Sequence, residues 1–376
     1  MRIAFFTFNA YDMLTGGHGG DAVGGAQLQQ ILIGKELARR DHDVFFVEYD
    51  AEYKSEQSID GITVVTIPRP TGSEPLRAFG LFIGILRTLR RIDPDVCYRR
   101  VLDFGILPLS IACSLTGRRF VYNIAHDDEL TEDPHMFSDG IKNTRFYRFA
   151  NRLALSNADA VIAQNAHQRR LAESVLNTNV CHIPNCYSHD SADPIEWNHS
   201  SPVIFWAARF QPWKQPNIVA DLAADLPEIT FIMAGGPGDE NLFAKLKRRS
   251  DNLENLEVLG HVPFSEIDRY FAAADLFLNT SEFEGFPNTF LQAWAQETPV
   301  VSLQVDPDDI LSAQKIGFVA DGSVETLRDH LQTLAQDPNR LSELGWASYN
   351  YLQEHHTVET ITDRYEQIFI SDKKFE

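Results

Sequence analysis

Two short strings concentrate side chains able to hold a charged, hydroxyl-rich ligand. In SEFEGFPNTFLQAWAQETPVVSL (281–303), Glu284 stands just before a turn of Gly285, Phe286 and Pro287, and Asn288 or Thr289 would cap a following helix. Backbone N–H groups at a helix start lack partners inside the helix, so they suit a phosphate or a sugar hydroxyl. Gln292 falls one turn into that helix and can face the same ligand as Glu284. An ordinary strand-turn-helix junction with a solvated glutamate would read the same way. In WAARFQPWKQPN (206–217), Arg209 and Lys214 leave a strand end five residues apart. Two cations on one turn can grip a diphosphate, each interacting by roughly 4 kcal/mol at about 4 Å with an effective dielectric near 20. Taken alone, the pair also fits two surface charges.

Positioning such groups needs rigid elements, and the sequence supplies a repeating set. Apolar, β-rich runs recur at 3–8, 44–49, 63–68, 96–101, 119–124 and 160–165. Helical patterns lie between most of them, such as AQLQQILIGKELARR (26–40), where Leu28, Ile31 and Leu32 are expected to share a face. Strands alternating with helices imply a parallel sheet covered on both sides. The pattern pauses in the polar segment 184–202 and restarts with runs at 203–210, 230–236, 256–260, 276–281 and 299–304. The expected architecture is therefore two α/β domains, each a doubly wound parallel sheet of Rossmann-like type. The expected boundaries are 1–190, 191–355 and a C-terminal helix, 356–376, packing back on the first domain. Binding crevices in such sheets lie at the carboxyl ends of the strands, and a cleft between two of them could hold a two-part substrate.

Composition narrows the function classes. With 53 Asp and Glu against 33 Lys and Arg, a formal charge of −20 would repel a nucleic-acid backbone, so no nucleic acid is expected as a partner. Gly and Pro, 22 and 18 of 376 residues, are near their average share, which excludes fibrous and disordered classes. The start, MRIAFFTFNAYD, is too short in its apolar run for a secretory signal, and no stretch approaches a spanning helix. Four cysteines without a C-x-x-C pair fit a reducing compartment, so a cytoplasmic protein is expected.

Together the strings at 206–217 and 281–303 resemble the retaining glycosyltransferases of family 4, which have the GT-B fold of two Rossmann-like domains around a cleft. The resemblance covers most of the chain. It implies that Arg209 and Lys214 bind the diphosphate of a nucleotide-sugar donor, that Glu284 contacts the donor sugar, and that position 292 holds the ribose diol. The family has a second glutamate there and this chain has Gln292, a neutral amide without the charge-assisted strength of a carboxylate. Ala208 before the Arg and Gln215 after the Lys depart from the glycines usual in the family.

In the first half, AVGGAQLQQ (22–30) looks like the family's glycine loop and first helix, with Gly24 and Gly25 letting backbone approach the donor. A mobile loop reads the same way. The G-x-G-x-x-A match at Gly17, Gly19 and Ala22 starts too far past the first strand to be a dinucleotide fingerprint. His126, after RFVYNI, takes the place of a family histidine that lies against the donor sugar; the alternative is a loop histidine bonded to Asp127 or Asp128. Gly235 and Gly236, and His261 and Val262, fall at strand ends where the family places its nucleotide loops.

No metal or other cofactor is expected. Cys181, His182, Cys186 and His189 match no common zinc spacing, and DPDD (306–309) reads as an acidic helix start. Two basic segments with apolar interiors, 76–92 and 141–152, point to contact with an anionic membrane, unless the apolar middle of the first packs on the sheet. The reading that results is a retaining, metal-independent transferase passing a sugar to a saccharide or lipid-linked saccharide acceptor. A non-catalytic nucleotide-sugar-binding subunit and a GT-B-fold epimerase stand as alternatives.

Overall fold

The computed structural model describes residues 1–8, 10–15, 24–49, 57–131, 145–176, 180–188, 190–197, 201–236 and 238–371, with the backbone alone at 145–148. The chain divides into two compact units, Met1–Asn185 with Val358–Glu376, and Cys186–Thr357. The divisions at 185/186 and 357/358 compare with the 190/191 and 355/356 expected from sequence.

In chain order, the first unit contains β1 (Arg2–Phe6), α1 (Tyr11–Leu14), α2 (Gly25–Arg39), β2 (Asp43–Tyr49), β3 (Gln57–Ile59), β4 (Ile62–Ile67), α3 (Glu74–Ile92), β5 (Val96–Arg100), α4 (Ile106–Thr116), β6 (Arg119–Asn123), α5 (Arg145–Ser156), β7 (Ala160–Ala163), α6 (Ala166–Leu176) and β8 (Val180–His182). The described strands form one sheet in the order β3-β4-β2-β1-β5-β6-β7-β8. All its pairings are parallel except the edge pair β3/β4. Asp60 and Gly61, at φ 49° and 80°, make the tight turn that lets this edge run antiparallel, a detail outside the expected all-parallel sheet.

The second unit contains β9 (Val203–Ala207), α7 (Pro216–Asp225), β10 (Thr230–Ala234), α8 (Glu240–Ser250), β11 (Leu256–Gly260), α9 (Phe264–Ala272), β12 (Leu276–Asn279), α10 (Asn288–Ala295), β13 (Val300–Ser302), α11 (Ile310–Gln314), β14 (Gly317–Val319), α12 (Val324–Ala335) and α13 (Pro338–His355). Its sheet, β11-β10-β9-β12-β13-β14, is parallel throughout. The order reverses between β9 and β12, so the crevice of a doubly wound sheet opens at the carboxyl ends of those two strands.

The chain then returns to the first unit as α14 (Val358–Ile370), which lies against α2. Arg40 and His42 pair with Glu366, the latter at 2.6 Å, and fasten the two helices. Covered by the sheet on one side and α14 on the other, α2 buries Leu28, Gln29, Gln30, Ile31, Ile33 and Leu37. The narrower face expected from periodicity is corrected accordingly: Leu32 is only half-buried and Ile33 replaces it.

Candidate functional site

The two strings singled out by sequence follow β9 and β12, the strands that flank the reversal point of the second sheet. They are spliced by hydrogen bonds. The buried Thr280 hydroxyl accepts from the Trp206 indole at 2.9 Å and donates to the Lys214 carbonyl at 2.6 Å. The Glu282 N–H donates to the Trp213 carbonyl at 2.7 Å, and the Trp213 and Phe283 rings stack. Gln215 closes the 212–214 turn in the left-handed region at φ 47°. A glycine, which the resemblance leads one to expect there, would adopt this φ without strain.

Held this way, the Lys214 ammonium pairs directly with the Glu284 carboxylate. The Ser281 hydroxyl donates to the same Glu284 oxygen at 2.8 Å. Both ionic side chains are about four-fifths shielded, at 18% and 17% exposure, so the pair is attenuated by solvent much less than a surface pair. Arg209, two residues past the end of β9, is exposed and has no ion-pair partner among the described residues. The couple expected from sequence thus comprises one cation committed to a carboxylate and one left available.

The backbone beside Arg209 is tightly registered. Ala208 N–H donates to Ala234 at 3.1 Å, Phe210 N–H to Gly236 at 3.2 Å, and Gly235 N–H to Gly260 at 2.7 Å. Gly235 has φ 152°, and a Cβ there would lie 1.8 Å from the Ala208 carbonyl oxygen, so only glycine allows this approach. Gly236 lies beside the exposed His261, with Val262 half-buried next to it.

Helix α10 starts at Asn288 with Pro287 as its cap residue, and no side chain caps it. That corrects the expectation of an Asn288 or Thr289 cap, because Asn288 is already the first helical residue and Pro287 precedes it in an extended conformation. The Phe286 ring is buried against His356, at 5.0 Å between centroids, which makes its side chain part of the scaffold. Gln292 is 6% exposed, and its amide N–H donates to the Tyr187 hydroxyl at 3.4 Å and to Asp268 at 3.3 Å. Tyr187 in turn donates to the Asp268 carboxylate at 2.9 Å. Burial pushes the Asp268 carboxyl up, and these two hydrogen bonds pull it back. Burial, followed by the Asp268 charge, raises the Tyr187 phenol well above its ordinary value. Sequence reasoning missed Thr280, Ser281, Tyr187 and Asp268; Ser281, three residues before Glu284, was the one with a readable signal.

In the first unit, His126 follows β6 as the cap of a short turn, and its Nδ1 accepts from the Asp128 N–H at 3.3 Å. Nε2 therefore carries the proton of the neutral ring. The segment is braced by half-buried Glu129, which accepts from the Tyr122 hydroxyl at 2.7 Å and from the N–H groups of Leu102 and Ala125. Burial raises that carboxyl to about 7. Gln164 donates to the carbonyls of Ile124 and Ala125 at 2.7 and 2.8 Å. Gly24 precedes α2 at an ordinary φ of −81°, and Gly25 is the first helical residue. Residues 16–23, His189 and Lys142 lie outside the described residues, as do the side chains of Arg145, Phe146, Tyr147 and Arg148.

Two doubly wound α/β units, with cations and a carboxylate gathered at the reversal point of the second sheet, define the GT-B class. Comparison with known proteins agrees. Residues 201–337 match the family described as Glycosyl transferases group 1, and residues 24–186 match the Glycosyl transferase 4-like domain. The chain belongs to this family of group 1, family 4 glycosyltransferases. It is 28% identical to the lipopolysaccharide core biosynthesis glycosyltransferase LpsE of Rhizobium meliloti over 46% of this chain and 50% of that protein. The chain thus matches half the length of that relative. It is 24% identical to the alpha-galactosylglucosyldiacylglycerol synthase of Streptococcus pneumoniae, over 73% of this chain and 78% of that protein. The structure of Anabaena HepE in complex with UDP-glucose superposes with a TM-score of 0.72 over 98% of both chains at 19% identity.

Proposed function

We propose that the protein is a retaining, metal-independent glycosyltransferase. It would move a hexose-type sugar from a nucleoside diphosphate donor, a UDP-sugar first and GDP-mannose next, to a hydroxyl of a saccharide or lipid-linked saccharide in surface glycan synthesis. The observation that carries this reading is the meeting of Lys214, Glu284 and Ser281 at the reversal point of the second sheet, with Arg209 exposed at the end of β9.

In this reading Arg209 and Lys214 stabilise the diphosphate as negative charge grows on it, with the N–H groups at the start of α10 beside them. Glu284 and the Nε2–H of His126 orient the sugar, and Gln292 meets the ribose. The bond from the anomeric carbon to the diphosphate breaks, the acceptor oxygen bonds to that carbon, and the acceptor proton passes to a diphosphate oxygen. The cations do the work of leaving-group neutralisation, so turnover should survive a chelator. The LpsE and diacylglycerol-glycolipid relatives support a saccharide or lipid-linked acceptor, and the UDP-glucose complex of HepE supports a UDP donor. Cys97, Cys113 and Cys181 are free thiols, which supports a reducing, cytoplasmic setting. Peripheral contact with an anionic membrane would bring such an enzyme to a lipid-linked acceptor.

A thermal-shift screen against UDP, GDP, ADP and dTDP tests the donor, because a ligand at about 100 times its dissociation constant adds about 2.7 kcal/mol. One nucleotide should stand apart. Release of that nucleotide from its sugar on adding an acceptor separates transfer from a subunit that only binds.

A further inference from the structure

Exposed apolar side chains are unevenly placed. Of the nine large hydrophobic residues exposed among the described residues, six lie on three helices of the first unit: Leu76 and Phe79 on α3, Ile111 and Leu115 on α4, Phe149 and Leu153 on α5. Helix α4 touches both α3 and α5. Right-handed crossovers from β4 to β5, β5 to β6 and β6 to β7 set these helices on one side of the sheet. Each also has an inner stripe that satisfies the core: Leu81, Ile85 and Leu89 on α3, Leu109 and Ala112 on α4, Ala154 and Leu155 on α5. Core packing therefore accounts for one face of the layer and leaves the outer apolar residues unexplained.

Charge sets the layer apart a second time. In a chain with 53 acidic residues and a formal charge of −20, these three helices hold seven arginines, 77, 87, 90, 91, 145, 148 and 152, and a single acid, Glu74. Arg87 and Arg90 are exposed with no ion-pair partner among the described residues, and Arg77 lies over the Phe104 ring. By contrast α14, packed on α2, carries Glu359, Asp363 and Glu366 against one arginine. Acidic side chains on a protein of this composition are the default, and a layer almost without them is complementary to a negative surface. A protein partner with an acidic surface would match the charge but would favour one compact apolar patch over residues spread along three helices. An anionic bilayer accepts both the scattered apolar side chains and the arginines, whose aliphatic stems can lie along the interface.

We propose that the outer face of α3, α4 and α5 docks the protein on an anionic lipid bilayer. The proposal names the surface behind the membrane contact invoked above and rests on that reading for its purpose, while its test stands apart from the donor chemistry. The full chain is sedimented with phosphatidylcholine vesicles and with vesicles in which half the lipid is phosphatidylglycerol. Binding to the second only, weakening as salt is added, is the expected result, since each cation near the surface is worth about 1 kcal/mol, a factor of about five. Arg87→Ala with Arg90→Ala should lower binding about 25-fold at low salt. Phe79→Ser with Leu115→Ser should lower it with the salt dependence retained. All four residues are exposed, and nucleotide affinity measured on the same variants should stay at the wild-type value, so loss of membrane binding with nucleotide affinity kept speaks to this face alone. Equal binding to both vesicle types, no binding to either, or binding unmoved by these substitutions would overturn the assignment. So would a dimer in solution that the same substitutions dissociate, because a second copy would then occupy the face.

Discussion

Position 292 gives the most specific consequence of the structure. Gln292→Glu restores the residue the family resemblance leads one to expect, yet here it would set a second carboxylate against Asp268 where the amide nitrogen now sits 3.3 Å away. At an effective dielectric near 20, two unit charges at that distance repel by about 5 kcal/mol. Half of that surviving relaxation, about 2.5 kcal/mol, would lower the melting midpoint of a unit this size by about 5–10 °C. Protonating one carboxyl relieves the repulsion, so the deficit should be small near about pH 5 and full near about pH 8. Asp268→Asn removes the conflict by letting an amide donate to the new glutamate, so the double variant should recover both midpoint and nucleotide affinity. The assay is a double-mutant cycle of melting midpoints and nucleotide dissociation constants at the two pH values. Effects that simply add, or a Gln292→Glu variant as stable as wild type at the higher pH, would refute the claim that Asp268 dictates the amide.

Further consequences follow from the same geometry. Lys214→Ala should lower turnover by about 10²–10³, the scale for removing one preorganised charge donor, as read by nucleotide release at saturating donor; an unchanged rate removes the lysine from the mechanism. Gly235→Ala should distort the Arg209 loop, because its Cβ would lie 1.8 Å from the Ala208 oxygen at φ 152°. A loss of about 1–3 kcal/mol in stability with weakened nucleotide binding is expected, and unchanged values of both would contradict it. Burial raises the Glu129 carboxyl to about 7 from an ordinary 4.5, so the fold favours its neutral form. Its contribution, on the order of 3 kcal/mol, is present below about pH 4.5 and lost as pH rises through about 7. Glu129→Gln should therefore flatten the fall in stability between about pH 5 and 8, and a fall as steep as in wild type would show that Glu129 is not its source.

Periodicity was sufficient for most strands, because β runs buried on both sides read as continuous apolar stretches in almost any parallel sheet. It failed where a second layer changed the environment. Helix α2 is buried around most of its circumference, since α14, more than three hundred residues later in the chain, covers the side that an amphipathic reading leaves to solvent. Spacing was likewise enough to put Arg209, Lys214 and Glu284 at strand ends. It could not show that Lys214 and Glu284 pair, because that depends on β9 and β12 being neighbours, a consequence of sheet order. The Tyr187–Asp268–Gln292 group joins a linker and two helices, and no local pattern foretells a contact among residues 105 and 24 positions apart. The exposed layer of α3, α4 and α5 was half legible: the arginines were plain in the sequence, while Ile111 and Leu115 look like core until their side chains are seen to face out.

Whether Arg209 and Lys214 hold a diphosphate is measured directly by calorimetric titration of the matching nucleoside diphosphate and its monophosphate into wild type, Arg209→Ala and Lys214→Ala. Charge-assisted hydrogen bonds of about 1.5–3 kcal/mol each predict a loss of about 10- to 100-fold for the diphosphate in either variant, with the monophosphate changed much less. Equal losses for both nucleotides, or no loss for the diphosphate, would contradict it.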